Sequence, residues 1–200
     1  MTDNIEPETS IKLLVLGDSS VGKSNFIGRF INEEFSPTHI SSSGLDLKTK
    51  DIQLQNKVIR VQLWDTAGQE KYRSITKNLF LRVQGIIAVF DLTNEDSFTS
   101  IKNWINTIKE ECGAHMPVIL VGNKCDLVDE RIISDEEANE YCKKEKLQYF
   151  EASTKNDINI RKSIEEICSK IIKSNFIRND CSFSLDNSAI EKDRPKKTCC

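Results

Sequence analysis

Short apolar runs recur along the chain, and stretches with helical spacing separate most of them. The runs lie at Ile11–Leu16, Val58–Leu63, Gly85–Phe90, Val118–Val121 and Gln148–Phe150. Apolar residues three and four positions apart indicate helices with one buried face. The positions that carry this signal are Phe26, Ile27, Phe30, Phe98, Ile101, Ile105, Ile108, Ile160, Ile164, Ile167, Cys168 and Ile171. Strands that alternate with helices predict a parallel sheet with helices on both faces.

Two features modify this alternation. The segment Leu45–Leu54 is joined to Val58–Leu63 by the short polar turn Gln55-Asn56-Lys57. Strands so close in the chain form a hairpin, so one edge strand of the sheet is predicted to be antiparallel. Another helix is predicted to start at Ser134, because Ser134-Asp-Glu-Glu137 has the form of a capping box.

Length and charge define the general class of protein. The 200 residues suit one globular domain with a little chain to spare. The net charge of −3, without a basic stripe in the body, argues against nucleic acid as a partner. No apolar stretch is long enough to span a membrane, and the polar, acidic start does not resemble a secretion signal. We expect a flexible extension over 1–9, a domain over 10–176 and a disordered tail over 177–200.

The seven cysteines show neither zinc spacing nor an even disulfide set. We therefore expect a cytosolic chain with reduced thiols. Cys142 and Cys168 lie among apolar residues and are expected to pack as small hydrophobes. Cys199 and Cys200 end the polar tail and have no evident packing role.

The first chemical signal is Gly17-Asp-Ser-Ser-Val-Gly-Lys-Ser24, which has the form G-x-x-x-x-G-K-[ST]. It lies between a predicted strand and a predicted helix, the context of a loop that holds nucleotide phosphates. Lys23 is predicted to reach the β- and γ-phosphates, and the Ser24 hydroxyl to ligate Mg²⁺. Backbone N–H groups are expected to point at the phosphates from Ser19, Ser20, Val21, Gly22, Lys23, Ser24 and Asn25.

The second signal is Trp64-Asp-Thr-Ala-Gly-Gln-Glu70, directly after an apolar run. A carboxylate at a strand end, here Asp65, suits the Mg²⁺ shell. Gly68 leaves room for its N–H to donate to the γ-phosphate, and Gln69 is predicted to orient the attacking water. Asp65 is therefore assigned to the metal site and Gln69 to catalysis.

The third signal is Asn123-Lys-Cys-Asp126, at the end of another apolar run. The Asp126 carboxylate is suited to accept from the N1–H and amine of guanine, and adenine would leave it unpaired. A site of this kind discriminates by about 10⁴-fold. Asn123 is expected to tie this loop to the phosphate loop, and the Lys124 stem to cover one face of the base. Backbone N–H groups of Ser153, Thr154 and Lys155 would close the other side.

In isolation, Asn123-Lys-Cys-Asp126 would fit an ordinary turn at a strand end about as well. Its order and separation from the other motifs favour the guanine site. With these motifs the chain resembles the small GTPases and, among them, the Rab family, from about Ser10 to its final cysteines. The Rab-like segments are Ser43-Gly-Leu-Asp-Leu47, Val61-Gln-Leu-Trp-Asp-Thr-Ala-Gly-Gln-Glu70, Tyr72-Arg-Ser-Ile-Thr76 and Cys199-Cys200.

The resemblance implies an α/β P-loop GTPase domain with a six-stranded, mostly parallel sheet, one antiparallel edge strand and five helices on both faces. It implies a GTP-hydrolysing switch in vesicle traffic, with GTP or GDP as ligand and Mg²⁺ as cofactor. GTP would order switch one, about 33–44, and switch two, about 66–82. Phe35 would stack edgewise on the guanine, and the Ser42 hydroxyl would ligate Mg²⁺ in the GTP state. No built-in arginine finger is evident, so slow turnover accelerated by a partner is expected.

The implied partners are an exchange factor, an activating protein, an escort protein, a dissociation inhibitor, and effectors that bind the switches. The chain itself is expected to be a monomer. The resemblance also implies that Cys199 and Cys200 carry geranylgeranyl groups. Two lipids anchor a protein stably, whereas one binds only reversibly, so a pair of modified thiols suits a membrane anchor. An unmodified tail is the alternative. The basic residues Lys192, Arg194, Lys196 and Lys197 would add attraction to anionic lipid. The expected location is the cytosolic face of endomembranes, with an escort-bound pool in the cytosol.

Several positions depart from the family pattern. Ser42-Ser43 replaces the usual threonine and isoleucine, so a looser GTP-bound switch is expected. Leu47 and Leu79 replace aromatic residues that, with Trp64, form a surface read by effectors. Core packing is the alternative for Trp64 and Leu79.

Two other functions are alternatives to the GTP-driven switch. A nucleotide-bound scaffold that recruits partners without cycling would suit the altered switch residues, and GTP turnover with and without cell extract separates it from a cycling switch. A P-loop phosphotransferase is disfavoured by Asn123-Lys-Cys-Asp126 and by the lack of a lid insertion.

Overall fold

The computed structural model describes residues 6–32, 46–66 and 79–174. Switch one lies outside these residues, as does most of switch two, together with the predicted tail. The strands are β1 Thr9–Leu16, β2 Asp46–Leu54, β3 Lys57–Asp65, β4 Gly85–Asp91, β5 Val118–Asn123 and β6 Gln148–Glu151. The helices are α1 Lys23–Asn32, α2 Glu95–Cys112, α3 Asp135–Glu145 and α4 Ile160–Lys173, with a 3-10 turn at Val128–Glu130.

The six strands form one sheet in the order β2-β3-β1-β4-β5-β6. Every neighbouring pair is parallel except β2 and β3. The predicted mixed sheet with one antiparallel edge strand is therefore confirmed. β4 is buried along its whole length, as expected for a central strand covered on both faces.

The hairpin turn between β2 and β3 is shorter than the sequence suggested. Leu54 pairs with Lys57, so Lys57 belongs to the strand and only Gln55 and Asn56 form the turn. Both turn residues have positive φ, 50° and 64°. Two-residue hairpins favour this conformation because its twist matches that of the strands.

The described helices cover both faces of the sheet. On one face, α1 and α4 pack through residues such as Phe26, Phe30 and Ile164. On the other, α2 and α3 pack through residues such as Phe98, Ile101 and Cys142. All the apolar positions that predicted the helices are buried. Four of the five helices implied by the resemblance lie in the described residues.

Local signals fix the helix ends. Asn94 caps α2, because its side chain accepts from the Ser97 N–H at 3.0 Å. The predicted cap Ser134 accepts from the Glu137 N–H at 3.1 Å, so the predicted start of α3 is confirmed. Lys146 follows the last residue of α3 and caps this helix in the left-handed conformation. No helix in the described part of the chain combines the length and apolar character needed to cross a bilayer.

Candidate nucleotide-binding site

The candidate phosphate loop follows β1 at the carboxyl edge of the sheet and adopts a conformation that requires its glycines. Gly17 and Gly22 have φ of 152° and 98°. A Cβ on Gly17 would lie 2.1 Å from the Val89 carbonyl oxygen, and one on Gly22 would lie 2.4 Å from Asn123 Nδ2. The glycines therefore let this loop approach β4 and β5 more closely than any other residue would allow.

The lysine of this loop is directed into the loop. Lys23 is only 4% exposed, and its Nζ donates to the Asp18 carbonyl oxygen at 2.7 Å. Because a buried ammonium needs nearby acceptors, this arrangement suits a site that receives anionic oxygens. The Asp18 carboxylate in turn accepts from the Ser100 hydroxyl at 2.7 Å, a contact with α2 that the sequence did not suggest.

Of the candidate metal residues in the described ranges, Asp65 lies at the end of a strand and Ser24 lies in the first turn of α1. Asp65 ends β3 and pairs in register with Val15 of β1, two residues before the phosphate loop begins. Asp65 is buried, Ser24 is half-buried at the start of α1, and the neighbouring Thr66 hydroxyl donates to the Val15 carbonyl at 2.9 Å. A carboxylate and a hydroxyl are hard oxygen donors, so these residues fit Mg²⁺.

No group of three or more His, Cys, Asp or Glu side chains comes together within residues 6–32, 46–66 and 79–174. A site for zinc or another metal that binds soft ligands is therefore not found there. A site that combines hydroxyl groups, one carboxylate and substrate phosphates is the kind that Mg²⁺ uses.

Asn123 joins the candidate base and phosphate loops, as the sequence analysis expects. This fully buried residue donates from Nδ2 to the Val21 carbonyl at 2.8 Å. Its Oδ1 accepts from the Thr154 N–H at 3.3 Å. One side chain thus links the phosphate loop with the two loops assigned to the base.

The side chains assigned to the base also contact each other. The Ser153 hydroxyl donates to Asp126 Oδ1 at 2.5 Å and accepts from the Asn156 N–H at 3.0 Å. The Cys125 N–H donates to the Ala152 carbonyl at 3.0 Å. Ser153 is fully buried, so it holds the Asp126 carboxylate in a fixed orientation.

Arg29 is a contributor that sequence reasoning missed. Its guanidinium extends from α1 and donates to the carbonyls of Thr154 and Lys155, each at 2.9 Å. The first helix after the phosphate loop therefore supports the loop expected to cover the base. Arg29 belongs to none of the sequence motifs, and nothing in the local sequence indicates a partner 125 positions away.

Lys124 lies two residues before Asp126, the carboxylate assigned to the base, and adopts a left-handed conformation with φ 66°. Its Nζ forms an ion pair with Asp91 Oδ2 at 2.5 Å. Asp91 ends β4 and is itself buried. This pair was also not expected from the sequence, because Asp91 belongs to none of the motifs.

Two of the three residues assigned to effector reading are cross-strand partners. Leu47 of β2 pairs in register with Trp64 of β3, and Leu47 is 42% exposed. Leu79 is 6% exposed and packs in the same cluster as Phe80 and Val83. The structure therefore favours the packing alternative for Leu79, whereas Leu47 is available to a partner.

Several assigned residues lie outside the described residues. They are Phe35, Ser42, Gly68, Gln69, Cys199 and Cys200. Their roles stay predictions.

Comparison with known proteins identifies the family. A sequence model of the Ras family matches residues 12–173. The chain is 41% identical over 167 residues to "Ras-related protein Rab-3A" of Homo sapiens, covering 82% of this chain and 76% of that protein. "GTP-binding protein Rab-3D" of Rattus norvegicus matches with the same identity and coverage.

"Ras-related protein Rab-13" of Rattus norvegicus is 37% identical over 186 residues, which is 93% of this chain and 92% of that protein. The family match over residues 12–173 spans the candidate phosphate loop, Asp65, the Asn123–Asp126 motif and all six strands apart from the first three residues of β1. The chain belongs to the Ras family and, within it, is a Rab-type small GTPase of vesicle traffic.

Proposed function

We propose that this chain cycles between GTP and GDP with Mg²⁺ and that the lost γ-phosphate changes the shape of its two switches. The observation that carries the nucleotide assignment is the bridging role of Asn123, whose amide links the Val21 carbonyl to the Thr154 N–H. This link makes the phosphate loop and the base loops one unit. A single ligand with a base at one end and phosphates at the other is what such a unit fits.

Guanine is the proposed base because Asp126 is an acceptor that Ser153 already orients. A carboxylate pairs with the N1–H and the 2-amine of guanine, whereas adenine has a bare acceptor at N1 and no 2-amine. The proposed phosphate contacts are Lys23 and the backbone N–H groups of Ser19–Asn25.

Ser24, Ser42 and Asp65 are the residues proposed to hold Mg²⁺. When bound, the ion would neutralise charge on the β- and γ-phosphates. Gln69 is proposed to orient the attacking water, and Gly68 to donate its N–H to the γ-phosphate. Turnover without a partner is proposed to be slow. An arginine from an activating protein would add about 10³–10⁵ in rate.

Nucleotide specificity gives the direct test. Wild type should hold GDP or GTP far more tightly than ATP, and Asp126→Asn should lose guanine affinity while gaining affinity for xanthine nucleotides. The gain is expected because an amide donor matches the extra carbonyl of xanthine. A wild-type preference for ATP would contradict the proposal.

Hydrolysis gives a second test. Gln69→Leu should lower GTP turnover measured as released phosphate, while leaving GDP affinity close to wild type. Unchanged turnover in this variant would contradict the role assigned to Gln69. A wild-type chain without GTP turnover, both with and without cell extract, would instead favour the scaffold that does not cycle.

We further propose that Cys199 and Cys200 carry prenyl groups and hold the protein at the cytosolic face of endomembranes, with an escort-bound pool in the cytosol. Exchange, activating, escort and effector proteins would act on the monomer, and effectors would contact Leu47 and Trp64. A tagged chain lacking both cysteines should lose membrane localisation. Persistence of the same localisation would contradict the anchor.

A further inference from the structure

Asp91 lies beside the candidate base site but belongs to none of the sequence motifs. It is the last residue of β4 and pairs in register with Asn123 of β5. It is 5% exposed. Burial of a carboxylate is costly unless its oxygens are paired, so the partners of Asp91 indicate what it does.

The surroundings hold Asp91 in one orientation. Its N–H donates to the Ser97 hydroxyl at 3.0 Å, and its carbonyl accepts from the Asn94 N–H at 3.0 Å. Oδ1 accepts from both the N–H and the hydroxyl of Thr93, at 2.9 and 2.7 Å. The carboxylate therefore cannot turn without breaking both bonds from Thr93, and the backbone bonds fix the residue that carries it.

The other oxygen of the same carboxylate holds Lys124. Oδ2 lies 2.5 Å from the ammonium nitrogen, and the lysine side chain is 32% exposed. A lysine without such a partner samples many rotamers, and fixing one of them on ligand binding costs conformational entropy. The ion pair with a rigid carboxylate removes much of that cost before a ligand arrives.

We propose that Asp91 is a positioning residue for base binding: its carboxylate holds the Lys124 ammonium so that the aliphatic stem of Lys124 is already in place against one face of the guanine. This inference rests on the proposed function. Asp91 touches no part of the nucleotide in this scheme, and it acts only through Lys124. The guanine edge is read by Asp126 instead.

A purely structural role is the competing explanation, because Thr93 also binds this carboxylate at the start of α2. The two roles are separable by charge. In Asp91→Asn, the amide oxygen still accepts the hydrogen bonds from Thr93. The amide nitrogen takes the place of the carboxylate oxygen next to the Lys124 ammonium, and because both groups are donors the ion pair is lost. Thr93→Val is the matched control, because it removes a hydroxyl bond to Asp91 and leaves the ion pair.

The measurement is the dissociation rate of a fluorescent GDP from the full-length chain at fixed Mg²⁺. Asp91→Asn should release GDP about tenfold faster than wild type, because hydrogen bonds to charged groups contribute about that factor. Thr93→Val should stay within about twofold. Asp91→Asn should accelerate the release of the inosine analogue of GDP by the same factor as the release of GDP, because stacking on the base does not depend on the guanine amine.

A double-mutant cycle isolates the pair. With Lys124→Met in the background, Asp91→Asn should change GDP release by less than about twofold. The same tenfold effect in that background would overturn the proposal, since Asp91 would then not act through Lys124. If Asp91→Asn does not fold, Lys124→Met alone must speed release about tenfold, and a wild-type rate in that variant would overturn it.

These outcomes are distinct from failure of the proposed function. Wild type that does not retain GDP would remove the nucleotide site altogether. Wild type that retains GDP, together with an Asp91→Asn variant of the same release rate, would remove only the role given to Asp91.

Discussion

The side-chain amide of Asn123 donates to the Val21 carbonyl at 2.8 Å, across 102 positions of sequence. Both residues are buried, and the same side chain accepts from the Thr154 N–H. Two functions that the sequence assigns to separate motifs, phosphate binding and base reading, are thus mechanically joined. A change in one loop is expected to reach the other.

Asn123→Ala should lower both stability and nucleotide affinity. It leaves a carbonyl and an N–H buried without their partner, which costs about 1–3 kcal/mol for each group. We expect a lower melting temperature and faster GDP release. Thermal unfolding with and without GDP, together with the release rate, measures the two effects.

The matched control is Asn139→Ala. Asn139 is half-buried on α3, and its side-chain amide donates to the carbonyl and the carboxylate of Asp135 in the same helix. This substitution should leave both the melting temperature and the GDP release rate close to the wild-type values. Equal effects of the two substitutions would contradict the bridging role of Asn123.

Gly28→Ala should stabilise the protein. Gly28 lies inside α1, and, apart from its chain neighbours and the backbone of its own helix, no atom of the described residues lies within 4 Å of the position where its Cβ would be. Alanine in a helix is favoured over glycine by about 1 kcal/mol, so the free energy of unfolding should rise by up to that amount. Urea denaturation of the GDP-bound chain measures it.

Gly85→Ala gives the opposite expectation. Its Cβ would lie 2.9 Å from the Cδ1 atoms of both Ile167 and Ile171. Overpacking of this kind costs about 1–3 kcal/mol.

For Gly28→Ala, a lower free energy of unfolding than wild type would contradict the expectation. It would indicate that residues outside the described ranges pack against position 28.

The ion pair of Arg131 with Glu151 should shape the response to acid. Arg131 Nη1 donates to Glu151 Oε2 at 2.9 Å, Nη2 binds the other carboxylate oxygen, and these bonds hold the pKa of Glu151 below its ordinary value of 4.5. A depressed pKa means that the stabilisation is present above 4.5 and is lost as pH falls through the lower folded value.

Arg131→Gln should therefore be less stable at neutral pH and should lose less stability on acidification below 4.5. Melting temperatures across that range measure the slope. Arg161→Gln, which breaks an exposed pair with Glu165 on α4, is the control and should leave the acid slope unchanged. Parallel acid curves for wild type and Arg131→Gln would exclude this contribution.

Cys142 and Cys168 should resist alkylation in the native protein. Both thiols are buried, and burial raises the pKa of each to about 12, so almost no thiolate forms at neutral pH. Mass spectrometry after maleimide treatment should find them unmodified until the chain is denatured. Rapid native labelling of either would mean that the helix carrying it opens readily.

Sequence patterns were most informative where a property depends on neighbouring residues. The apolar spacing in α1, α2 and α4 predicted their buried faces, and Ser134 predicted the start of α3. The turn between β2 and β3 was placed one residue too long, because Lys57 is polar but pairs with Leu54. Leu79 was assigned to a surface but is buried, because nothing in the local sequence shows which side of the chain the core lies on.

The sequence by itself determined the alternation of strands and helices, the phosphate loop and the order of the motifs, since spacing along the chain encodes each of them. Only the tertiary structure decided which distant groups meet. Asn123 with Val21, Arg29 with Thr154, and Asp91 with Lys124 are pairings of this kind. They depend on the strand order β2-β3-β1-β4-β5-β6, which brings the carboxyl ends of distant strands to one edge. No local pattern carries that information, because the partners are selected by packing and by the need to pair buried polar groups.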